Sequence, residues 1–133
     1  MAAFHPFILL MEGDPDFIYL FERYAQQGGW RMVTCSTGQE VVTLARQLQP
    51  DVIFINLRLP VSDGGWSVFQ ALKKDAETLS IPVVVYSSKP ETDRAKQEGA
   101  DISLCKPILY EDVLTIVKRL GSQSAISTQG GLQ

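Results

Sequence analysis

The chain has one histidine and two cysteines in 133 residues. That scarcity excludes a disulfide-stapled scaffold and the metal motifs built on paired Cys and His. Cys35 and Cys105 show no redox or zinc spacing, and are read as two thiols in a reducing, cytoplasmic setting. His5 is the one histidine and lies in the N-terminal segment, and no nucleophile–base pair is visible. The chain is therefore read as a non-enzyme. No apolar run approaches the roughly 20 residues of a membrane span. The short run Phe7–Met11 has no basic flank and continues into acidic residues, so it reads as a strand and not as a signal peptide. Positive charge is not in excess: 12 Lys and Arg against 15 Asp and Glu leave a net charge of −3. A mildly acidic chain without a basic cluster is not expected to bind nucleic acid directly.

What is present is ordinary for one globular domain: 45% hydrophobic and 20% charged residues, enough apolar material for a core. Apolar runs of strand length alternate with amphipathic stretches of helix length, the pattern of βαβ units and a parallel sheet. The strands are expected at Phe7–Met11, Trp30–Cys35, Val52–Ile55, Pro82–Tyr86 and Ile102–Cys105. The first helix has Asp14 as N-cap, Pro15 at its first position, and a buried stripe of Phe17, Leu20, Phe21 and Tyr24. Gly28-Gly29 ends it. Thr37 to Glu40 reads as a capping box for a second helix with Val41, Leu44, Ala45 and Leu48 inward. Pro60 to Gly65 reads as a loop, followed by a third helix lined by Trp66, Val68, Phe69 and Leu72. A short polar helix spans roughly 91–98, and the last helix runs from Tyr110 to Leu120. Residues 1–121 form the expected domain, and 122–133 a polar C-terminal tail, read as flexible with a linker stump or an ordered extension as alternatives.

The first, third and fourth strands are nearly continuous apolar runs, as for strands covered on both faces. The second and fifth are mixed, as edge strands are. The expected fold is a flavodoxin-like (βα)5 three-layer sandwich with strand order 2-1-3-4-5. On that order the two cysteines lie on opposite edges and cannot bridge.

Open α/β sheets bind ligands at the carboxyl ends of their central strands. Those ends here are Glu12-Gly13-Asp14, Asn56-Leu57-Arg58 and Ser87-Ser88, with Lys106-Pro107 after the fifth strand. Over residues 7–120 this order and spacing resembles a response-regulator receiver domain. The resemblance rests on the acidic patch before a Pro-capped helix and on the run from Pro50 to Pro60. It also rests on Asp63-Gly64, the Ile81-Pro82-Val83 strand with its terminal hydroxyl, and Gly99-Ala100-Asp101 leading to Lys106-Pro107.

The resemblance implies an aspartate that accepts a phosphoryl group at the end of the third strand. It also implies two acids after the first strand that help hold Mg²⁺, and a hydroxyl and a lysine that contact the phosphoryl oxygens. Ser87, followed by Ser88, matches the hydroxyl; Lys106 matches the lysine, with a cis bond to Pro107 implied; Glu12 matches the first acid. Gly13 falls where the second acid belongs, Asn56 on the phosphoacceptor, and Ser103 on the usual aromatic switch residue. Asp14 is the spare acid nearby.

An amide cannot usefully attack phosphorus, because its nitrogen lone pair is delocalised and its oxygen carries no full charge. Mg²⁺ wants anionic oxygen ligands. Glu12, a neutral Asn56 and a backbone carbonyl near Arg58 would hold it weakly at most, so no metal or other cofactor is expected. Lys106 is expected to pair with Glu12 instead. The segment between Ser87 and Lys106 is short for the family, so a short or displaced fourth helix is expected. Gly64-Gly65 resembles a one-residue insertion that repositions Trp66, which is read as core.

The expected function is that of a two-component receiver acting as a phosphorylation-independent protein-interaction module, monomeric or homodimeric. Its expected partners are a histidine kinase, another receiver or an output protein, with no membrane contact. Two rivals remain open: a conventional phosphorelay receiver with Ser87 or Asp14 as substitute acceptor, and a small-ligand or flavin binder on the same fold. The acidic Glu12-Gly13-Asp14-Pro15 turn disfavours the second rival, because it repels phosphate. An engineered origin for Asn56 is disfavoured by the accompanying loss at Gly13.

Overall fold

The structure is a computed structural model that describes residues 6–58 and 64–128, with side chains as far as Leu120. Five strands, β1 (Phe7–Met11), β2 (Arg31–Cys35), β3 (Val52–Asn56), β4 (Val83–Ser87) and β5 (Ile102–Cys105), form one sheet in the order β2-β1-β3-β4-β5. Every neighbouring pair is parallel. The connections are α1 (Pro15–Gly28), α2 (Gly38–Leu48), α3 (Gly64–Lys74) and α4 (Thr92–Glu98), and α5 (Tyr110–Thr128) follows β5. The flavodoxin-like architecture and strand order are those expected from the sequence.

Side chains alternate across a strand, so each central strand supplies two cores. Leu9, Ile53, Ile55, Val83 and Val85 face α2 and α3, where they meet Val41, Phe69 and Leu72. Ile8, Leu10, Phe54, Val84 and Tyr86 face α1 and α5, where they meet Phe17, Phe21, Val113 and Val117. Every residue of β3 and β4 is buried, while β2 and β5 are more open, as their mixed composition implied.

The helix ends follow their local chemistry. Asp14 accepts from the Asp16 amide at 3.0 Å and Pro15 opens α1. Gly29, at φ 77°, ends it in the left-handed region. Thr37 accepts from the Glu40 amide at 3.2 Å to start α2. At α3 two glycines are required by close approach. Gly64 has φ 56°, and a Cβ there would lie 2.2 Å from the Leu57 carbonyl oxygen; one on Gly65 would lie 2.8 Å from that of Asn56. The Gly65 amide donates to Leu57 O at 3.0 Å, so α3 begins pressed against the end of β3.

Four expectations are corrected. Leu20 is 40% exposed, and the buried stripe of α1 is Phe17, Phe21 and Ala25. Adjacent helical residues point about 100° apart, so with Phe21 at the centre Leu20 is carried to the flank. Leu48, in the last turn of α2, is 39% exposed. Gly64 and Gly65 belong to α3 and not to the loop; Pro60 to Asp63, including Asp63 of the family motif, lies outside the described residues. The helix expected to stop at Leu120 runs on to Thr128, because Gly121 is a weak breaker and no proline follows; residues 129–133 lie outside the described residues.

Candidate functional site

The β1 chain leaves the sheet at Glu12, whose amide donates to Cys35 O at 2.9 Å. This turns the Glu12 side chain inward, where it is 3% exposed. A buried carboxylate must be neutralised or fully hydrogen-bonded. Here it is hydrogen-bonded. Oε1 accepts from the Tyr86 hydroxyl at 2.6 Å and from Asn56 Nδ2 at 3.0 Å. Oε2 accepts from the same Asn56 nitrogen at 3.0 Å, from the Gly13 amide at 3.1 Å and from the Asp14 amide at 3.0 Å. A carboxylate offers about four acceptor directions, and these five contacts use all of them.

Asn56 ends β3 and is 7% exposed. Its amide nitrogen faces Glu12, and its Oδ1 accepts from the Arg58 amide at 2.8 Å. An aspartate could accept that amide but could offer Glu12 no proton when ionised. The β3–β4 register sets Tyr86 directly beside Asn56. Tyr86 is fully buried, stacked on Phe17 at 5.0 Å. Burial, followed by the charge and hydrogen bond of Glu12, holds its phenol far above the usual range, so it stays a donor.

The lysine does not go where the sequence reading put it. Lys106 Nζ lies 4.6 Å from the centre of the Phe17 ring and 5.7 Å from that of Tyr86, a cation–π seat, and makes no ion pair with Glu12. Glu12 is already saturated by donors, and the Phe17 and Tyr86 rings offer the ammonium a π face. The Lys106 amide donates to Ser87 O at 2.8 Å, and the bond to Pro107 is cis, as the resemblance implied.

The other expected residues are also placed. Ser87 is 1% exposed and its Oγ accepts from the Lys89 amide at 3.2 Å, whereas Ser88 is exposed. Asp14 is exposed, its Oδ1 occupied by capping α1. Gly13 is exposed, and a Cβ there would meet nothing within 4 Å, so packing does not forbid an acid at this position. Ser103 is not brought to the site: it lies inside β5, beside Val85 and short of the strand end. Arg58 contributes its amide while its side chain stays outside. Among the described residues, no group of three or more His, Cys, Asp and Glu is placed to hold a metal ion.

Beside the site, α4 has seven residues and is fastened to α3. Trp66, 3% exposed, donates to Glu91 Oε1 at 3.4 Å, and Arg94 lies over its ring at 5.2 Å. Gln70 donates to Glu98 Oε1 at 2.9 Å. The reading of Trp66 as a core residue agrees with this placement.

Tyr86 was missed as a site residue. Its signal was available: a tyrosine in a buried aliphatic strand needs a partner for its hydroxyl. That residue immediately precedes the strand-end hydroxyl, opposite a buried acid.

A parallel sheet of this order, with an acid after β1, a polar residue ending β3, a hydroxyl ending β4 and a lysine–cis-proline after β5, defines a signalling receiver. The comparisons with known proteins agree. The family model for the response regulator receiver domain matches residues 8–118. The chain is 33% identical over 113 residues to protein PilH of Pseudomonas aeruginosa, covering 83% of this chain and 93% of PilH. It is 34% identical over 118 residues to the DNA-binding dual master transcriptional regulator RpaA of Synechocystis, covering 86% of this chain and only 48% of that protein. Among solved structures it resembles the receiver domain of a sensor histidine kinase from Pseudomonas aeruginosa PAO1, which has a magnesium ion in its active-site cleft. The TM-score is 0.79 at 24% identity, over 89% of this chain and 98% of that one. The chain belongs to the response-regulator receiver family, and its function is that of a receiver in two-component signal transduction.

Proposed function

We propose that this receiver works as a phosphorylation-independent interaction module. One observation carries the reading: the buried Glu12 carboxylate is saturated by Asn56, Tyr86 and two backbone amides. Mg²⁺ demands near-octahedral oxygen coordination and binds through one or two carboxylates. This donor set does not fit it. Glu12 has no open acceptor direction, Gly13 supplies no side chain, and the Asn56 oxygen is neutral and already accepts from the Arg58 amide. Phosphoryl transfer rests on positioning and on neutralising charge with the metal, and neither a nucleophile nor a metal ligand set is available at position 56. Ser87 is 1% exposed and Asp14 is turned to capping α1, which argues against either as substitute acceptor.

On this reading the domain needs no cofactor and performs no catalysis. It presents a standing surface to a protein partner: a histidine kinase, another receiver or an output protein. We place the domain in a reducing, cytoplasmic compartment, the setting read from a sequence whose two cysteines have no redox or metal spacing. Incubation with acetyl phosphate and Mg²⁺, followed by intact-mass measurement, tests the proposal. The mass is expected to stay unchanged. A stoichiometric gain of one phosphoryl group mapping to this pocket overturns it.

A further inference from the structure

The two charged groups of the pocket do not pair with each other, yet one side chain touches both. Tyr86 donates its hydroxyl to Glu12 at 2.6 Å, and its ring centre lies 5.7 Å from the Lys106 ammonium. Phe17, stacked on Tyr86, completes the face on which that ammonium rests at 4.6 Å. A cation over a phenol ring draws electron density from it and makes the hydroxyl a stronger donor. Each end of the chain Glu12–Tyr86–Lys106 therefore strengthens the other.

We infer that Tyr86 is the positioning residue that keeps this pocket closed to cations: its hydroxyl holds the Glu12 carboxylate while its ring seats the Lys106 ammonium. The inference rests on the proposed function and deepens it. If Asn56 and Gly13 alone accounted for the loss of the metal, removing the Tyr86 hydroxyl would add nothing to an acid restored at position 56. The geometry argues otherwise. Replacing Asn56 by Asp removes one donor from each Glu12 oxygen, but Tyr86 still holds Oε1 and the Gly13 and Asp14 amides still hold Oε2. The carboxylate remains turned toward the phenol. Tyr86→Phe keeps the ring, its stack on Phe17 and the lysine's seat, and removes only the hydroxyl.

The test is a titration with Mg²⁺ alone of four proteins: wild type, Asn56→Asp, Tyr86→Phe, and the double variant. Binding is followed by the amide resonances of Gly13 and Asp14. The double variant is expected to bind about tenfold more tightly than Asn56→Asp, the scale of one hydrogen bond to a charged group. A residue that merely filled core space would leave the two affinities equal, and equal affinities overturn the inference. A measurement on the unaltered protein keeps the question open to refutation should the double variant not fold. The Tyr86 hydroxyl proton is expected as a slowly exchanging downfield resonance with a nuclear Overhauser contact to the Asn56 side-chain amide; its absence also overturns the inference. The two readings fail separately. Phosphorylation of the wild type defeats the proposed function, whereas equal magnesium affinity of Asn56→Asp and the double variant defeats only the role of Tyr86.

Discussion

Asn56→Asp changes one atom pair in the pocket and should cost far more than a surface substitution. The amide nitrogen lies 3.0 Å from both Glu12 oxygens, and the replacement puts a carboxylate oxygen there. Both residues are buried, at 3% and 7% exposure, so solvent screens the new repulsion little. Two like charges about 4 Å apart at an effective dielectric near 20 repel by about 4 kcal/mol. The pair escapes by sharing a proton, which raises its apparent pKa above the ordinary carboxylate range. Between the unfolded and the raised folded pKa the folded variant holds a proton that its unfolded chain has released, so its stability falls as pH rises. The deficit against wild type should be about 4 kcal/mol at pH 8 and should shrink by about 1.4 kcal/mol per pH unit on acidification through that window. Urea denaturation of both proteins at pH 8 and pH 5, with metal chelated, measures it. A variant as stable as wild type at pH 8, or a deficit independent of pH, refutes the claim that Asn56 serves Glu12 as a donor.

Three further outcomes are expected. Burial, with the Glu40 charge second, pushes the Cys35 thiol up to about 12, whereas Cys105 is exposed, so Ellman's reagent should titrate one thiol in the native protein and both in denaturant. The raised Tyr86 phenol favours the folded state below pH 10; above it the unfolded chain ionises first and stability should fall by about 1.4 kcal/mol per pH unit, a loss that denaturation curves of Tyr86→Phe should lack. Truncating Gln70 and Glu91 together to Ala removes two of the ties between α3 and α4, so hydrogen exchange should quicken in α4 and not in β4.

Much of this fold was legible because it is written in local patterns. Apolar runs of strand length gave the strands, and their composition gave the central and edge positions. The Asp14-Pro15 and Thr37–Glu40 pairs gave two helix starts that the hydrogen bonds reproduce. The site residues were legible as strand ends, since topology alone brings Glu12, Asn56, Ser87 and Lys106 to one rim. What failed was pairing across the chain. The sequence reading matched Lys106 to Glu12 by charge, but charge does not reveal that five donor contacts already occupy the carboxylate or that a stacked ring pair offers the lysine another seat. Tyr86 passed as one more buried apolar residue because its partner lies 74 positions away, a proximity that only the sheet creates. Leu20 and Leu48 carried the right composition for a core and sat too far around, or along, their helices to reach it.

The proposed closure of this pocket, by its own hydrogen bonds, to the ions that bind other receivers can be tested on the unaltered protein. The most direct test is a ¹H–¹⁵N NMR titration of the wild-type protein with Mg²⁺ and beryllofluoride together, the latter mimicking a phosphorylated aspartate. The Gly13, Asp14, Arg58 and Ser88 amides and the Asn56 side-chain amide are expected to keep their positions throughout. Saturable shifts of those resonances, with α4 and β5 moving in step, would contradict the proposed closure.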